Sequence, residues 1–402
     1  MLAGRLTQQI RYMKITDVKT LVVNAEMRNW VFVKVETSEP GLYGWGEATL
    51  EWKTRAVTGT IEDLKPLLIG KDPRDITQLS EIMNKHSFWK LGVIGKTAIS
   101  GIDMALWDIM GKRLGVPVWQ LLGGKTRDKV KMYTHLGMGE TNAVYNSLES
   151  THVVEKALEV VEKGYHAVKV VFIPYVNYTA SVKEIKQVEH MMHKLREAVG
   201  DEIDIMIDFH GRPASASAAL QFIKVLEPYH PLFVEEVIQP GEIKSLKMIK
   251  EKINCPLAGG ERLVSLDEFA PYFHERVLDI AQPDLCHCGG FTEAMRIGAM
   301  AAVAGAGIAP HNPMGPIAGV AAVHYDIATP NFIIQEKMEA VPWFQDVVEG
   351  QPAFSNGYIH LPEKPGLGIE VNERIAARYP YRQEPLEVIE AARTLDGSIV
   401  NW

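Results

Sequence analysis

Three carboxylates recur along this chain at nearly equal spacing, and each follows a short apolar run. Asp208, Glu235 and Glu261 are 27 and 26 residues apart. One strand, one helix and their connections occupy a segment of this length, so the repeat predicts consecutive parallel strands whose ends share one rim of a barrel. Three ionised carboxylates repel one another unless a cation lies among them. The spacing therefore predicts an oxygen-ligand site for a hard metal, with Mg²⁺ as the best candidate.

The bulk composition argues against several classes of function. The 402 residues are 47% hydrophobic and 23% charged, which suits a two-domain globular protein or a barrel with additions. The net charge of −8 disfavours nucleic acid and anionic membranes as partners. Only three cysteines occur, and no apolar segment is long enough for a signal peptide or a spanning helix. These features predict a cytoplasmic protein.

The patterns along the chain change at about residue 130. Residues 1–12 precede the first strand pattern and are interpreted as a leader of native or non-native origin. Residues 13–129 contain β-rich runs followed by helical periodicity, which predicts an α+β domain. Residues 130–365 alternate short strands with helices, which predicts a modified (β/α)₈ TIM barrel that carries the catalytic residues. Residues 366–402 are expected to return to the first domain.

The barrel prediction rests on eight strand candidates, and reactive groups lie near the ends of most of them. The candidates are Val130–His135, His166–Phe172, Ile203–Asp208, Leu232–Glu236, Leu257–Glu261, Val277–Asp284, Gly307–His311 and Phe332–Glu336. The third ends in Asp208, with His210 two residues later, and alternation in a strand lets both face the barrel mouth. The fourth carries Glu235 and Glu236, of which only one can face inward.

Longer motifs are similar to those of one protein family. Residues 98–123 resemble the signature helix of the mandelate racemase branch of the enolase superfamily. Four barrel motifs resemble the galactonate dehydratase group: DFHGR at 208–212, GGER at 259–262, QPDLCHCGG at 282–290 and APHNPMGP at 309–316. Together they are specific, and the resemblance extends from Met13 to Trp402. It implies an enolase-like fold, in which an N-terminal α+β capping domain covers a modified (β/α)₈ barrel.

The resemblance also implies a role for each reactive side chain. Asp208, Glu235 and Glu261 would bind one Mg²⁺ per subunit. His311, oriented by Asp284, would be the general base, and this pairing would raise its pKa into a useful range. His210 would be the general acid.

Four other residues are candidates for contacts with the substrate, each with a structural alternative. Lys169 is expected to attract the substrate carboxylate, and Glu336 to hydrogen-bond it, unless the two form a salt bridge with each other. Arg212 would reach the distal hydroxyls or else form a structural ion pair. Trp52 follows a strand of the first domain, where a loop would cap the barrel mouth or simply pack as an ordinary aromatic residue.

The implied reaction is dehydration of an acid sugar. Removal of the proton next to the carboxylate would give a metal-stabilised enediolate, and loss of water would give a 2-keto-3-deoxy acid. Racemases of this family often carry a second lysine two residues after the first, where this chain has Val171. One base and one acid therefore favour dehydration over racemisation. D-galactonate is the best single substrate, and a homo-oligomer such as an octamer is expected.

Other functions stay open at this point. The alternatives are dehydration of gluconate, arabinonate or galactarate, and epimerisation. A scaffold or regulatory protein with weak activity is a different class, disfavoured because the full set of acids and bases is present.

Overall fold

The structure, a computed structural model, describes residues 12–401 apart from 87, 137–149, 340, 387–389, 391 and 395. The leader predicted at residues 1–12 therefore lies outside the described residues, except for Tyr12. Within the described ranges, no helix is long and apolar enough to cross a membrane.

The first domain is an antiparallel sheet covered by helices. Strands β1 (Ile15–Ala25), β2 (Arg28–Thr37) and β3 (Tyr43–Glu47) pair in that order. The helices are α1 (Thr54–Leu68), α2 (Ile76–Lys85), α3 (Gly92–Leu114) and the short α4 (Val118–Leu121). Helix α3 approaches β3 so closely that a Cβ added to Gly46 would collide with the carbonyl oxygen of Gly101. Glycine is required at this contact because no side chain fits between the two backbones.

The second domain is a closed barrel of parallel strands, which confirms the predicted fold class. The strands are β4 (Lys129–His135), β5 (Ala167–Val170), β6 (Asp204–Asp208), β7 (Phe233–Glu235), β8 (Leu257–Gly259), β9 (Ile280–Ala281), β10 (Gly307–Ile308) and β11 (Gln335–Glu336). Neighbours pair in chain order from β4 to β10, and β11 pairs with β4. A bridge between Ile308 and Phe332 closes the ring.

Helices cover the outside of the barrel between successive strands. They are α5 (Ser150–Glu162), α6 (Val182–Val199), α7 (Ala216–Leu226), α8 (Ile243–Lys250), α9 (Leu266–His274), α10 (Gly290–Ala304) and α11 (Pro316–Ala328), with a 3₁₀ turn at Glu227–Tyr229. Helix α6 begins with a capping box in which Ser181 and Glu184 each bond the other's backbone N–H. This arrangement satisfies two amides that would otherwise lack partners.

Within the described residues, the eighth strand is followed by short elements and not by a full helix. These are α12 (Phe344–Val347), β12 (Val348–Glu349), β13 (Phe354–Ser355), β14 (Tyr358–His360), β15 (Glu370–Val371) and α13 (Glu373–Ala376). The chain then lies against the first domain. The Tyr379 carbonyl accepts a hydrogen bond from the backbone N–H of Asn24 at 2.8 Å, and the Pro385 carbonyl accepts one from the Trp52 indole at 3.0 Å.

Buried acids of the first domain hold the N-termini of two barrel helices. The Glu47 carboxylate accepts hydrogen bonds from the N–H groups of Gly315 at 2.7 Å and Ala318 at 2.9 Å, at the start of α11. Asp103 accepts from the N–H of Thr292 at 3.1 Å, at the start of α10. Helix N-termini favour such acids, although burial raises the pKa of both Glu47 and Asp103 to about 7. These contacts fix the first domain over the barrel.

Candidate active site and metal centre

Three carboxylates meet where neighbouring barrel strands end. Asp208 and Glu235 are the last residues of β6 and β7, and Glu261 lies two residues after β8. Each offers one oxygen, and these oxygens all lie within 4.8 Å of one another. The convergence expected from the spacing is therefore present.

The unpaired oxygens of this cluster fit a hard cation. The Oε2 atoms of Glu235 and Glu261 are buried and have no hydrogen-bond partner among the described residues. A buried carboxylate oxygen without a partner is costly unless a cation satisfies it. The ligand set consists of carboxylate oxygens alone, which is the chemistry that Mg²⁺ prefers. Asp208, Glu235 and Glu261 are thus suited to hold this ion.

The pKa shifts within the cluster show that its carboxylates need a neighbouring positive charge. Burial raises the pKa of Glu235 well above its ordinary value, and the charge of Asp208 raises it further. Burial also disfavours the charged form of Asp208, but the neighbouring His210 and Lys169 hold the pKa of Asp208 below its ordinary value. The pKa values of carboxylates that lie close together separate in this way unless a cation neutralises them.

Lys169, in β5, supplies one positive charge to this cluster. Its Nζ lies 3.1 Å from Glu235 Oε1, 3.0 Å from Glu336 Oε1 and 3.6 Å from Asp208 Oδ2. The salt bridge between Lys169 and Glu336, one of the two alternatives left open by the sequence, is therefore formed. Both residues also line the cavity at the barrel mouth, so the salt bridge leaves them within reach of a substrate.

His311 and Asp284 form the predicted pair. His311 Nδ1 lies 2.8 Å from Asp284 Oδ2, and its Nε2 lies 3.6 Å from Glu261 Oε2. Because a carboxylate only accepts, Nδ1 carries a hydrogen and Nε2 is the nitrogen available for proton transfer. Burial alone would lower the pKa of His311, but with no cation on the carboxylates Glu261 and Asp284 together raise it to about 10. A cation bound to Glu261 would cancel part of this negative charge and lower the pKa of His311 towards the range of a general base.

His210 reaches the cavity by a route that strand alternation does not describe. Strand β6 ends at Asp208, and His210 has a left-handed φ of 50°. Its backbone N–H donates to Asp208 Oδ1 at 2.9 Å, and its Nε2 lies 3.2 Å from Asp208 Oδ2. The turn is uncommon for a residue other than glycine, and such strain is typical of functional sites.

Glu236 is committed to a different partner from Glu235. It accepts hydrogen bonds from Arg262, including one from Nε at 2.8 Å, and from the N–H of Gly260 at 3.2 Å. The carboxylate of Glu236 is thus already satisfied. This leaves Glu235 to face the other two acids, as the prediction favoured.

The two remaining predicted contacts differ in their placement. Trp52 lines the cavity. Arg212 is buried, donates from Nη1 to the Ile173 carbonyl and lies with its guanidinium 4.2 Å from the ring centre of Tyr175. It is not among the described residues that line the cavity, so the structure gives its predicted contact with the substrate no support.

The cavity has a volume of about 230 Å³ and lies between the two domains. Several of its residues were not predicted as site residues. These are Met27, Arg28, Glu51, His135, Arg262, Pro313 and Met338. Of these, His135 is the last residue of β4. Its position at a strand end could have identified it as a site residue from the sequence. Its Nδ1 contacts the Leu136 carbonyl at 2.7 Å, and its buried Nε2 has no partner among the described residues.

Comparison with known proteins shows similarity over nearly the whole chain. Residues 152–375 match the family described as enolase C-terminal domain-like. Residues 9–123 match the mandelate racemase and muconate lactonizing enzyme N-terminal domain. The chain belongs to the mandelate racemase branch of the enolase superfamily. This confirms the family resemblance of the sequence motifs.

Full-length relatives agree with this assignment. Two proteins named D-galactonate dehydratase, from Klebsiella pneumoniae (strain 342) and Cronobacter sakazakii (strain ATCC BAA-894), are 36% and 35% identical. Each alignment covers 97% of this chain and 100% of the relative. The crystal structure of an enolase from Pantoea ananatis with bound D-gluconate and Mg is 31% identical, with a TM-score of 0.87. The structural match covers 97% of this chain and 100% of the Pantoea ananatis chain.

Proposed function

We propose that this protein is a Mg²⁺-dependent acid-sugar dehydratase, a hydro-lyase that acts on an aldonate, with D-galactonate as the best substrate. The observation that carries the proposal is the arrangement of three acids with two histidines. Asp208, Glu235 and Glu261 converge beside a cavity that is lined by His210 and by the Asp284-paired His311. The relatives named D-galactonate dehydratase support the choice of substrate.

The first step is removal of the proton on the carbon next to the carboxylate. A bound Mg²⁺, one per subunit, held by Asp208, Glu235 and Glu261, would supply electrostatic stabilisation to the substrate carboxylate as negative charge develops on it. His311 takes the proton at Nε2. Asp284 holds its Nδ1 at 2.8 Å, so the imidazole keeps one orientation and the charge that it gains is compensated.

The second step is departure of the hydroxyl on carbon 3. His210 donates a proton to this oxygen, which leaves as water, and a double bond forms between carbons 2 and 3. The resulting enol tautomerises to a 2-keto-3-deoxy acid. One acid and one base with separate tasks are thus enough for the reaction, consistent with Val171 in place of a second lysine.

Two variants separate these steps. His311→Asn is expected to abolish solvent deuterium exchange at carbon 2, followed by NMR, because Asn cannot take the proton. His210→Asn is expected to keep exchange but lose about 10²–10⁴-fold in dehydration, the usual contribution of a general acid or base. His274→Asn, at an exposed position at the end of α9, is the matched control and should match the wild type.

The two outcomes that contradict the assignment are distinct. Unchanged exchange in His311→Asn would mean that another group is the base. Full dehydration by His210→Asn would place the acid elsewhere. Both variants need the wild type to be active with Mg²⁺ and D-galactonate, which is measured as keto-acid formation.

D-gluconate is the second candidate substrate, because the Pantoea relative was crystallised with it. A panel of sugar acids that includes gluconate, arabinonate and galactarate decides among them. No turnover on any member would favour the scaffold alternative. We also propose a cytoplasmic homo-oligomer, such as an octamer, whose mass light scattering would report.

A further inference from the structure

A charged pair from the capping domain lies at the wall of the substrate cavity. Arg28 begins β2, and Glu51 lies in the turn between β3 and α1. Arg28 Nη1 is 2.9 Å from Glu51 Oε1, and the side chains are only 4% and 16% exposed. Both line the cavity that also contains His311. Neither takes part in the proton transfers described above.

The pair is held rigidly. Arg28 Nη1 also donates to the carbonyl of Pro313, two residues after His311. Beside Glu51, Trp52 has a left-handed φ of 55°, and its indole donates to the Pro385 carbonyl at 3.0 Å. Because these contacts are made with the backbone of other elements, the fold sets the position of the pair.

The pair has hydrogen-bonding capacity left over. Arg28 Nε is buried and out of reach of a ligand, but the Glu51 side chain is 16% exposed. The Glu51 carboxylate has room for more than one hydrogen bond, since a carboxylate carries about four acceptor sites. The wall therefore presents a carboxylate acceptor beside a buried guanidinium. A substrate hydroxyl group can donate a hydrogen bond to the Glu51 carboxylate.

The charge balance of the Arg28–Glu51 pair disfavours binding of a second substrate carboxylate at this wall. Glu51 neutralises the charge of Arg28, so this wall has no net positive charge with which to attract an anion. A carboxylate bound to Arg28 would lie close to Glu51 and could not donate a hydrogen to it. Like charges in a partly buried site repel strongly. The wall is thus suited to the polyol end of a sugar acid and unsuited to a charged end.

We infer that the Arg28–Glu51 pair selects acid sugars with a single carboxylate and rejects those with a carboxylate at both ends. The inference rests on the proposed function, since it assumes that the first carboxylate lies at the metal centre. It identifies aldonates as the substrate class and excludes aldarates such as galactarate.

The test compares D-galactonate with galactarate as substrates of the Mg²⁺-loaded protein. The wild type is expected to have the higher kcat/KM for galactonate. Glu51→Gln leaves the charge of Arg28 uncompensated, so the ratio of galactarate to galactonate activity should rise at least tenfold. Glu51→Asp keeps the charge and should keep the wild-type ratio to within about threefold, a difference below 1 kcal/mol.

Two controls make the result specific. Glu62→Gln removes the same charge from the solvent face of α1, where Glu62 is 59% exposed, and should leave the ratio unchanged. Melting temperatures of all variants report whether they fold. If Glu51→Gln fails to fold, Arg28→Gln serves instead: it leaves the charge of Glu51 uncompensated and should lower the ratio further.

The outcomes separate this inference from the proposed function. A wild type that dehydrates galactonate, with a ratio that Glu51→Gln does not change, overturns the inference alone, as does a wild type that prefers galactarate. Where no product forms, calorimetry gives instead the ratio of the binding affinities for the two sugar acids. In that case the proposed function fails, and the affinity ratio still decides whether the pair favours sugar acids with one carboxylate over those with two.

Discussion

His324 is expected to make the protein less stable as the pH falls, and its contacts show why. It lies in α11, where its Nδ1 accepts from the Trp119 backbone N–H at 3.1 Å and its Nε2 lies 3.2 Å from the Leu367 carbonyl. A carbonyl only accepts and an N–H only donates, so the ring is fixed in one neutral tautomer. A second proton would force two N–H groups together. Burial lowers the pKa of His324 from 6.5 to about 4.

The size of the effect follows from proton linkage. Between pH 6.5 and 4 the unfolded chain binds a proton at this residue that the folded protein does not bind, so stability falls as the pH falls through this window. From pH 7 to pH 5, these pKa values give a loss of about 2 kcal/mol from this residue. His324→Gln can keep both hydrogen bonds and does not titrate. Its free energy of unfolding should therefore fall by about 2 kcal/mol less than that of the wild type.

Urea unfolding at pH 7 and pH 5, followed by circular dichroism and tryptophan fluorescence, measures this difference. His360→Gln, at an exposed position in β14, is the control and should follow the wild type at both pH values. If His324→Gln lost as much stability as the wild type between the two pH values, the assigned tautomer and its linkage to folding would be refuted.

Three other substitutions test the metal centre and the domain contact. Glu261→Gln should weaken Mg²⁺ binding at least tenfold in calorimetry, because an amide oxygen lacks the charge; unchanged affinity would exclude it as a ligand. Lys169→Met should lower stability by about 3–5 kcal/mol without Mg²⁺, since it leaves buried carboxylates unpaired, and melting with added Mg²⁺ should recover part of this. A variant as stable as the wild type would contradict that reasoning. Gly46→Ala should cost about 1–3 kcal/mol or prevent folding, because its Cβ meets the Gly101 carbonyl. Gly59→Ala, where no atom of the described residues lies within 4 Å of the added Cβ, should cost nothing in thermal melting.

The parts of the site that follow strand ends could be predicted from the sequence. The spacing of Asp208, Glu235 and Glu261 predicted their convergence because parallel strands in a barrel place their ends on one rim. The strands themselves are shorter than the apolar runs suggested. The run Val277–Asp284, for example, contains only the two-residue strand Ile280–Ala281, since apolar residues continue into the buried loops of the barrel mouth.

The parts that depend on turns or on domain contacts could not be predicted in this way. Arg212 follows His210 and Gly211, which both have left-handed φ values of 50° and 61°. The chain therefore changes direction before Arg212, and strand alternation no longer says where its side chain points. Arg28 and Glu51 reach the cavity only because the first domain docks on the barrel. That docking depends on contacts between residues far apart in the sequence, which local patterns do not encode.

The order in which the chain is made bears on when the cavity can form. Trp52 emerges from the ribosome long before Pro385, whose carbonyl fixes its indole and which follows 333 residues later. Glu47 likewise precedes Gly315, its partner in α11, by 268 residues. A nascent chain therefore carries a capping domain that lacks these contacts until Gly315 and Pro385 have been made. Only after residue 385 has been made can this chain enclose a small molecule.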